Sequence, residues 1–516
     1  MPNYLSPGVY IEEIPSGSKP IQSAGTSVCA FVGFTERRPE GNKGEPVLIT
    51  SWTQYTANFG SFVAGAMLPM SVYGYFLNGG GICFVQSLMA AEEAAARASS
   101  PARKPFLQVP ARSAELGPSL EIETKSSGPV SVTVADPPPG SPEDQFTVTV
   151  HGPGGAEETF NNVTFEKKKG SRHVVDVVNR ESKLIKLIEL ESVAPLAERR
   201  PAVNTYTLPA PEVAGTSLVS TKSFEGDMSA RVGLAGLEAI EQITMVCVPD
   251  LMAGYMSGQL SREDVKAVQL AVIAHCEKMK DRFAILDCLP DLNVQQMDDW
   301  RMKEAGYDSQ FAAMYYPWIW VANPMANGSG PSSIKIPPSG HVAGLYARVD
   351  TERGVHKAPA NEILRGALRL ELDVSKGEQD ILNPHGINCI RSFPGRGIRV
   401  WGARTLSSDS AWRYINVRRL FSMIEESVYE GTQWVVFEPN DMDLWARVKR
   451  TITAYLTTVW RSGALFGASP DEAFFVKCDA ENNPADTRDA GMLVVEVGIA
   501  PVKPAEFVIF RFSQIS

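Results

Sequence analysis

The chain has 516 residues, 44% of them hydrophobic and 21% charged, with a formal net charge of -10. This length and composition call for a folded protein of two to four domains and exclude a disordered one. The acidic balance argues against general nucleic-acid binding, which needs a basic footprint.

Seven cysteines, Cys29, Cys83, Cys247, Cys276, Cys288, Cys389 and Cys478, form no CxxC pair. Four of them, Cys29, Cys83, Cys247 and Cys288, lie inside apolar strand-like runs, where a thiol behaves as a small hydrophobe. Reduced thiols of this kind predict assembly in the cytoplasm. No basic segment followed by an apolar run opens the chain, and no apolar stretch reaches the ~20 residues that span a bilayer, so neither a signal peptide nor membrane insertion is expected.

In chain order, residues 7–15 read as a short extended segment bounded by prolines, with Val9 and Ile11 alternating against Tyr10 and Glu12. Residues 16–24 read as a linker. Strands are expected over 28–34, 46–50 and 82–88, with helices over 51–59 and 70–77. From Ala91 the texture changes to alternating runs around 120–124, 130–135 and 146–151, separated by Pro- and Gly-rich turns, which predicts an inserted all-β module. The α/β pattern resumes with helices over 230–242, 262–281 and 294–305 and strands over 243–248, 283–289 and 314–321. Ser261 and Asp264 are placed to cap the second of these helices. The alternation predicts a mostly parallel sheet that the insertion interrupts. Residues 324–340 read as a loop and domain boundary, followed by strands over 363–374, 398–404 and 434–438 and helices over 414–429 and 441–462.

The resulting fold class is α/β plus an inserted all-β module. The expected division is an arm over 1–25, an α/β domain over 26–90 plus 225–340, a β-rich outer module over 91–224, a second α/β domain over 341–490 and a strand arm over 491–516. Two runs in the last segment, 492–499 and 506–512, are dense in β-branched and aromatic residues. Val494, Val495 and Val497 belong to the first, and Phe507, Val508, Ile509 and Phe510 to the second. Both faces of the second run are largely apolar, so both should be covered. Strands at both extremities predict pairing with neighbouring copies by strand addition, or with each other inside one subunit.

No nucleophile elbow, phosphate loop or HExxH motif is present. Gly395-Arg396-Gly397 opens a strand rather than a helix and so reads as a turn. His385 and Cys389 sit four apart without a recognised motif, and Asp298-Asp299 and Glu425-Glu426 read as solvated pairs. No catalytic, cofactor-binding or metal site is assigned. On the 441–462 helix, Leu444, Trp445, Val448, Ile452, Tyr455, Leu456, Val459 and Trp460 form one apolar stripe, while Arg447, Arg450 and Arg461 fall on the opposite side. That face suits either an acidic partner or plain solvation.

The blocks PGVYIEEIPSG, TSVCAFVGFT, TSWTQYTANFG and FLNGGGICFVQ, with NPHGINCIRSFPGRGIRVWGARTL and YINVRRLFSMIEESVYEGTQWVVFEPND in the second half, resemble the contractile tail sheath family. The resemblance covers somewhat under half the chain and leaves 91–224 without a counterpart. It implies a multi-domain sheath subunit with exchanged terminal strands, polymerising with other copies as stacked hexameric rings around an inner tube protein. Baseplate and terminal cap proteins are the other implied partners, and no nucleic acid is. It also implies that Arg447, Arg450 and Arg461 touch the tube. The sheath reading covers both a virus-free injection device and a virion tail, and its competitor from another class is an α/β enzyme binding a nucleotide or small ligand in the sheet crevice.

Overall fold

A computed structural model describes residues 20–91, 106–113, 117–125, 130–152, 156–168, 170–190, 195–208, 219–326 and 331–512. The chain divides into two compact units, Met1–Glu93 with Val219–Ser516, and Ala94–Leu218.

The first unit is built on a nine-stranded sheet. Its strands are β1 (Val28–Thr35), β2 (Val47–Ile49), β3 (Ile82–Ala90), β4 (Met245–Cys247), β5 (Phe283–Asp287), β6 (Ala312–Tyr316), β7 (Glu362–Ile363), β8 (Ile387–Phe393) and β9 (Gly397–Val400). Their spatial order is β7-β9-β8-β6-β5-β4-β1-β3-β2. Pairings from β3 through β8 are parallel, and β2, β9 and β7 add antiparallel edges. Such a sheet is covered on both faces, which explains why β1, β4, β5 and β6 read as unbroken apolar runs. Around it pack helices α1 (Leu68–Asn78), α2 (Arg262–Met279) and α3 (Ser339–Arg353). α1 and α3 approach closely because Gly344 has no side chain, since a Cβ there would stand 2.3 Å from the Tyr75 carbonyl.

The sheet overturns the boundary expected at 340. α3 begins at Ser339, where the sequence reads as loop, and strands as late as Val400 belong to the same sheet as β1. Ser-Gly-His-Val-Ala-Gly lacks helix-forming character, and packing against α1 supplies what propensity does not. Three local expectations also fail. Residues 230–242 form a short turn of helix, Gly233–Gly236, and a 3-10 turn, Leu237–Ala239. The 434–438 run, β-branched and aromatic, is a 3-10 turn over Gln433–Val435. Residues 506–512 form no strand.

The second unit has two antiparallel sheets. One orders Asn204–Leu208, Val130–Ala135, Phe146–His151 and Glu157–Val163, and the other Phe106–Pro110, Pro118–Thr124 and Ile185–Glu189. Strict alternation buries Val130, Val132 and Val134 against Phe146, Val148 and Val150. The module is not all-β: helix Val174–Glu181 seats Val174, Val177 and Val178 in the same core. Its valines carry strand propensity, and only their i, i+3, i+4 spacing marks the helix.

All seven cysteines are free and buried, with the Cys29 and Cys247 sulfurs 3.7 Å apart. Among the described residues no helix is long and apolar enough to cross a membrane.

Candidate assembly interface

The C-terminal part of the first unit forms a layer of two helices and two strands: α4 (Ile415–Gly431), α5 (Met442–Arg461), β10 (Phe474–Lys477) and β11 (Glu496–Ile499). Asp441 starts α5 by accepting the Leu444 N–H at 2.8 Å. The predicted stripe is buried at Leu444, Trp445, Val448, Ile452, Tyr455, Leu456 and Val459. It packs on Leu420 and Ile424 of α4 and on Phe474 and Val476 of β10.

The incoming chain is fastened to this layer. Ile21 packs on the same core, and the Ala24 N–H donates to Ser427 Oγ at 2.8 Å. Deeper, Arg419 donates to both Asp350 oxygens at 3.0 and 2.6 Å and to the Thr26 carbonyl at 2.8 Å. Burial opposes the charge, but Asp350 holds the Arg419 guanidinium above its ordinary value. The linker expected over 16–24 is therefore no free hinge at Ile21 or Ala24. Val9, Tyr10, Ile11 and Glu12 lie outside the described residues.

β10 and β11 pair antiparallel, Phe474 opposite Ile499 and Lys477 opposite Glu496, and among the described residues neither has a second partner strand. Of the predicted strand residues here, only Val497 lies within β11. Val494 donates its N–H to Asn483 Oδ1 at 2.7 Å, and Val495 packs partly buried on the core. The backbone is then laced down, Ala500 N–H to the Ala473 carbonyl at 2.8 Å and Val502 N–H to Ala464 at 3.1 Å.

The last anchor is Glu506, which no sequence pattern singled out beyond its being an acid at the head of an apolar run. Arg404 grips it through Nε and Nη2, both at 2.8 Å, Asn383 Nδ2 donates at 2.7 Å and Tyr414 OH at 2.9 Å. Desolvation pushes against ionisation, yet these four donors hold the carboxyl below its ordinary value. Past this point the arm leaves the body. Phe507, Val508, Ile509, Phe510 and Phe512 are 73%, 67%, 77%, 78% and 95% exposed. The run has strand-forming residues and, among the described residues, no strand to pair with, which is why it forms none.

Arg447, Arg450 and Arg461 are exposed, on the face opposite the stripe. Arg447 is partly engaged, stacked 4.6 Å over the Trp434 ring and 3.4 Å from Glu438.

The features that suggested chemistry have duller placements. His385 bonds Asp298, and burial pushes the Cys389 thiol up to about 12. Glu425 pairs with Arg418 at 3.0 Å, and Gly395 to Gly397 turn β8 into β9. Among the described residues no cluster of metal-ligating side chains occurs. Strand order reverses between β1 and β4, the position where a doubly wound sheet opens a ligand crevice. Here that crevice holds Asp250, fully buried, which accepts N–H groups from Phe34, Met67 and Leu68 at the start of α1. A Cβ on Gly33 would lie 2.3 Å from its oxygen, so the glycine admits the carboxylate. The protein's own side chain thus takes the place a phosphate would need.

Two adjoining family models match, the phage tail sheath protein central domain over residues 229–406 and the phage tail sheath C-terminal domain over residues 407–515. The tail sheath protein of Vibrio phage KVP40 is 31% identical over 185 residues, 35% of this chain and 27% of that protein. That of Salmonella phage ViI is 28% identical over 269 residues, 47% of this chain and 41% of that protein. The match therefore spans less than half the length of these relatives. Among solved structures, the helical sheath of the anti-feeding prophage in its contracted state is 26% identical with a TM-score of 0.59, covering 98% of this chain and 99% of that one. The contracted sheath complex of the PVC extracellular contractile injection system is 25% identical with a TM-score of 0.57, covering 100% and 99%.

Proposed function

The chain belongs to the phage tail sheath family, a family of structural proteins and not of enzymes, and from that premise we propose that it is the subunit of a contractile sheath in a phage tail-like injection system. Copies stack as hexameric rings, helically, around an inner tube, with baseplate and cap proteins at the ends, assembled in the bacterial cytoplasm. The virion-tail alternative differs only in what the tail is attached to. The observation that carries the reading is the apolar arm beyond Glu506. Covering one such side chain is worth roughly 1.5–3 kcal/mol, so a run of five is a standing demand for a partner.

Strand addition meets that demand. An arm lent to a neighbour completes its backbone hydrogen bonds across β10 and β11, while the anchors at Thr26 and Glu506 tie the lent segments to their own body. Contraction is then a switch between two packings of nearly rigid subunits, each gaining on the order of a few kcal/mol in the short state. No nucleotide need be hydrolysed. Arg447, Arg450 and Arg461 form the tube-facing contact, a basic face on an acidic chain. The inserted module decorates the assembly without building it, since it has its own core.

Electron microscopy of the purified full chain tests the reading: rings or tubes are expected, and globular particles at every concentration refute it. Deleting residues 1–20 should abolish the polymer and leave a folded monomer, whereas deleting the compact module 94–218, and not the buried Phe224 beyond it, should leave polymerisation intact.

A further inference from the structure

Phe437 is a bulky residue at φ +68 with its side chain wholly exposed, at 102%. A phenylalanine in left-handed backbone is a true outlier, costing on the order of 1–3 kcal/mol, and such conformations cluster where function needs them. The loop around it is nonetheless ordered. Trp434 lies under the Arg447 guanidinium, Arg447 reaches Glu438, and the Glu438 N–H bonds the Val435 carbonyl at 3.1 Å. Val436 and Met442 beside it are 60% and 73% exposed. The α4–α5 connection is thus a fixed apolar knob. Acids outnumber bases around it: Glu430, Glu438, Asp441 and Asp443 lie on or beside the loop, and of the neighbouring bases Arg447 is engaged with Glu438 and Trp434.

At the other end of α4 lies a groove of about 940 Å³ with the opposite character. Phe393 and Trp401, 4.6 Å apart by ring centroids, line it, and Phe507 and Val508 of the C-terminal arm form one wall. Its lining includes six lysines and arginines against two acids, Asp380 and Glu506. Tyr414, the residue before α4, also lines it. α4 is 17 residues long, so knob and groove stand roughly 25 Å apart along one helix.

We propose that Phe437 of one copy seats in this groove of a second copy, against Phe393 and Trp401 of the folded body, with the acidic loop facing the basic rim. The proposal rests on the self-assembly reading and adds a contact made by the folded bodies rather than by lent strands. Knob and groove are different surfaces of one chain, so the contact is heterologous and propagates from copy to copy as a ring or filament. An aromatic anchor inside an apolar pocket with a charged rim is the anatomy in which binding energy concentrates.

The test places p-benzoylphenylalanine at position 437 and polymerises a mixture of isotopically light and heavy copies of the full chain. Light-to-heavy cross-links onto peptides containing Phe393 or Trp401 are expected. A polymer whose cross-links fall elsewhere, or only within one copy, overturns the pairing and leaves the sheath reading standing. Failure of the unsubstituted chain to polymerise overturns that reading and the pairing with it. Phe437→Gly accepts the same backbone conformation without the ring or its strain: its critical concentration for assembly should rise at least ten-fold with a monomer melting temperature that does not fall. An unchanged critical concentration would remove Phe437 from the interface.

Discussion

In the parallel-sheet body, Phe31, Val32 and Val85 are enclosed to 0% exposure, while Phe507, Val508 and Ile509 of the C-terminal arm, drawn from the same residue types, are 67–77% exposed. In the body the buried Asp250 is satisfied internally by three backbone N–H groups, whereas the arm's last polar anchor among the described residues is Glu506. The difference teaches that apolar content alone does not locate a core. What separates the two regions is whether the backbone beside those side chains already has a partner.

The contrast is broken most severely from the body side. Gly344→Leu drives a side chain into the Tyr75 carbonyl and should cost more than ~4 kcal/mol, or prevent folding, by chemical denaturation. Asp250→Ala leaves the Phe34, Met67 and Leu68 N–H groups unpaired and should cost roughly 3 kcal/mol in the same experiment. On the arm side, Glu506→Ala releases the Arg404 grip and should cost the monomer only about 1–2 kcal/mol, less than the Asp250 change because the site is partly exposed. A finer probe is pH. Burial raises Asp250 and Asp287 to about 7, above their unfolded values, so the folded state binds protons more tightly and their contribution, complete below about pH 4, is lost as pH rises towards 7. Glu506 is held low, so its contribution has the opposite sign and disappears on acidification. Asp287→Asn should flatten the loss between about pH 4 and 7, measured as denaturation midpoints. Arg450→Ala should do least, within ~0.5 kcal/mol for the monomer, because the side chain is exposed.

What could be read from the residues divides along the same line. The capping box at Ser261 and Asp264 is present, Ser261 Oγ accepting the Asp264 N–H at 3.1 Å and Asp264 accepting the Ser261 N–H at 2.8 Å, because capping is settled within four residues. The α5 stripe is equally local. α3 was illegible because Gly340 and Gly344 make sense only beside α1. The 434–438 run misleads because β-branched residues also serve an exposed loop, and 506–512 misleads because strand character without a neighbour yields no strand. The anchors Arg419–Asp350 and Arg404–Glu506 join residues far apart in the chain, and no spacing announces them.

Hydrogen exchange at residues 507–512, followed in monomer and in polymer of the full chain, probes the central claim most directly. The account predicts amides that exchange as fast as an unstructured peptide in the monomer and at least about a thousand-fold more slowly after assembly, as for strands in a stable sheet. Equal, fast exchange in both states, or protection already present in the monomer, would contradict it.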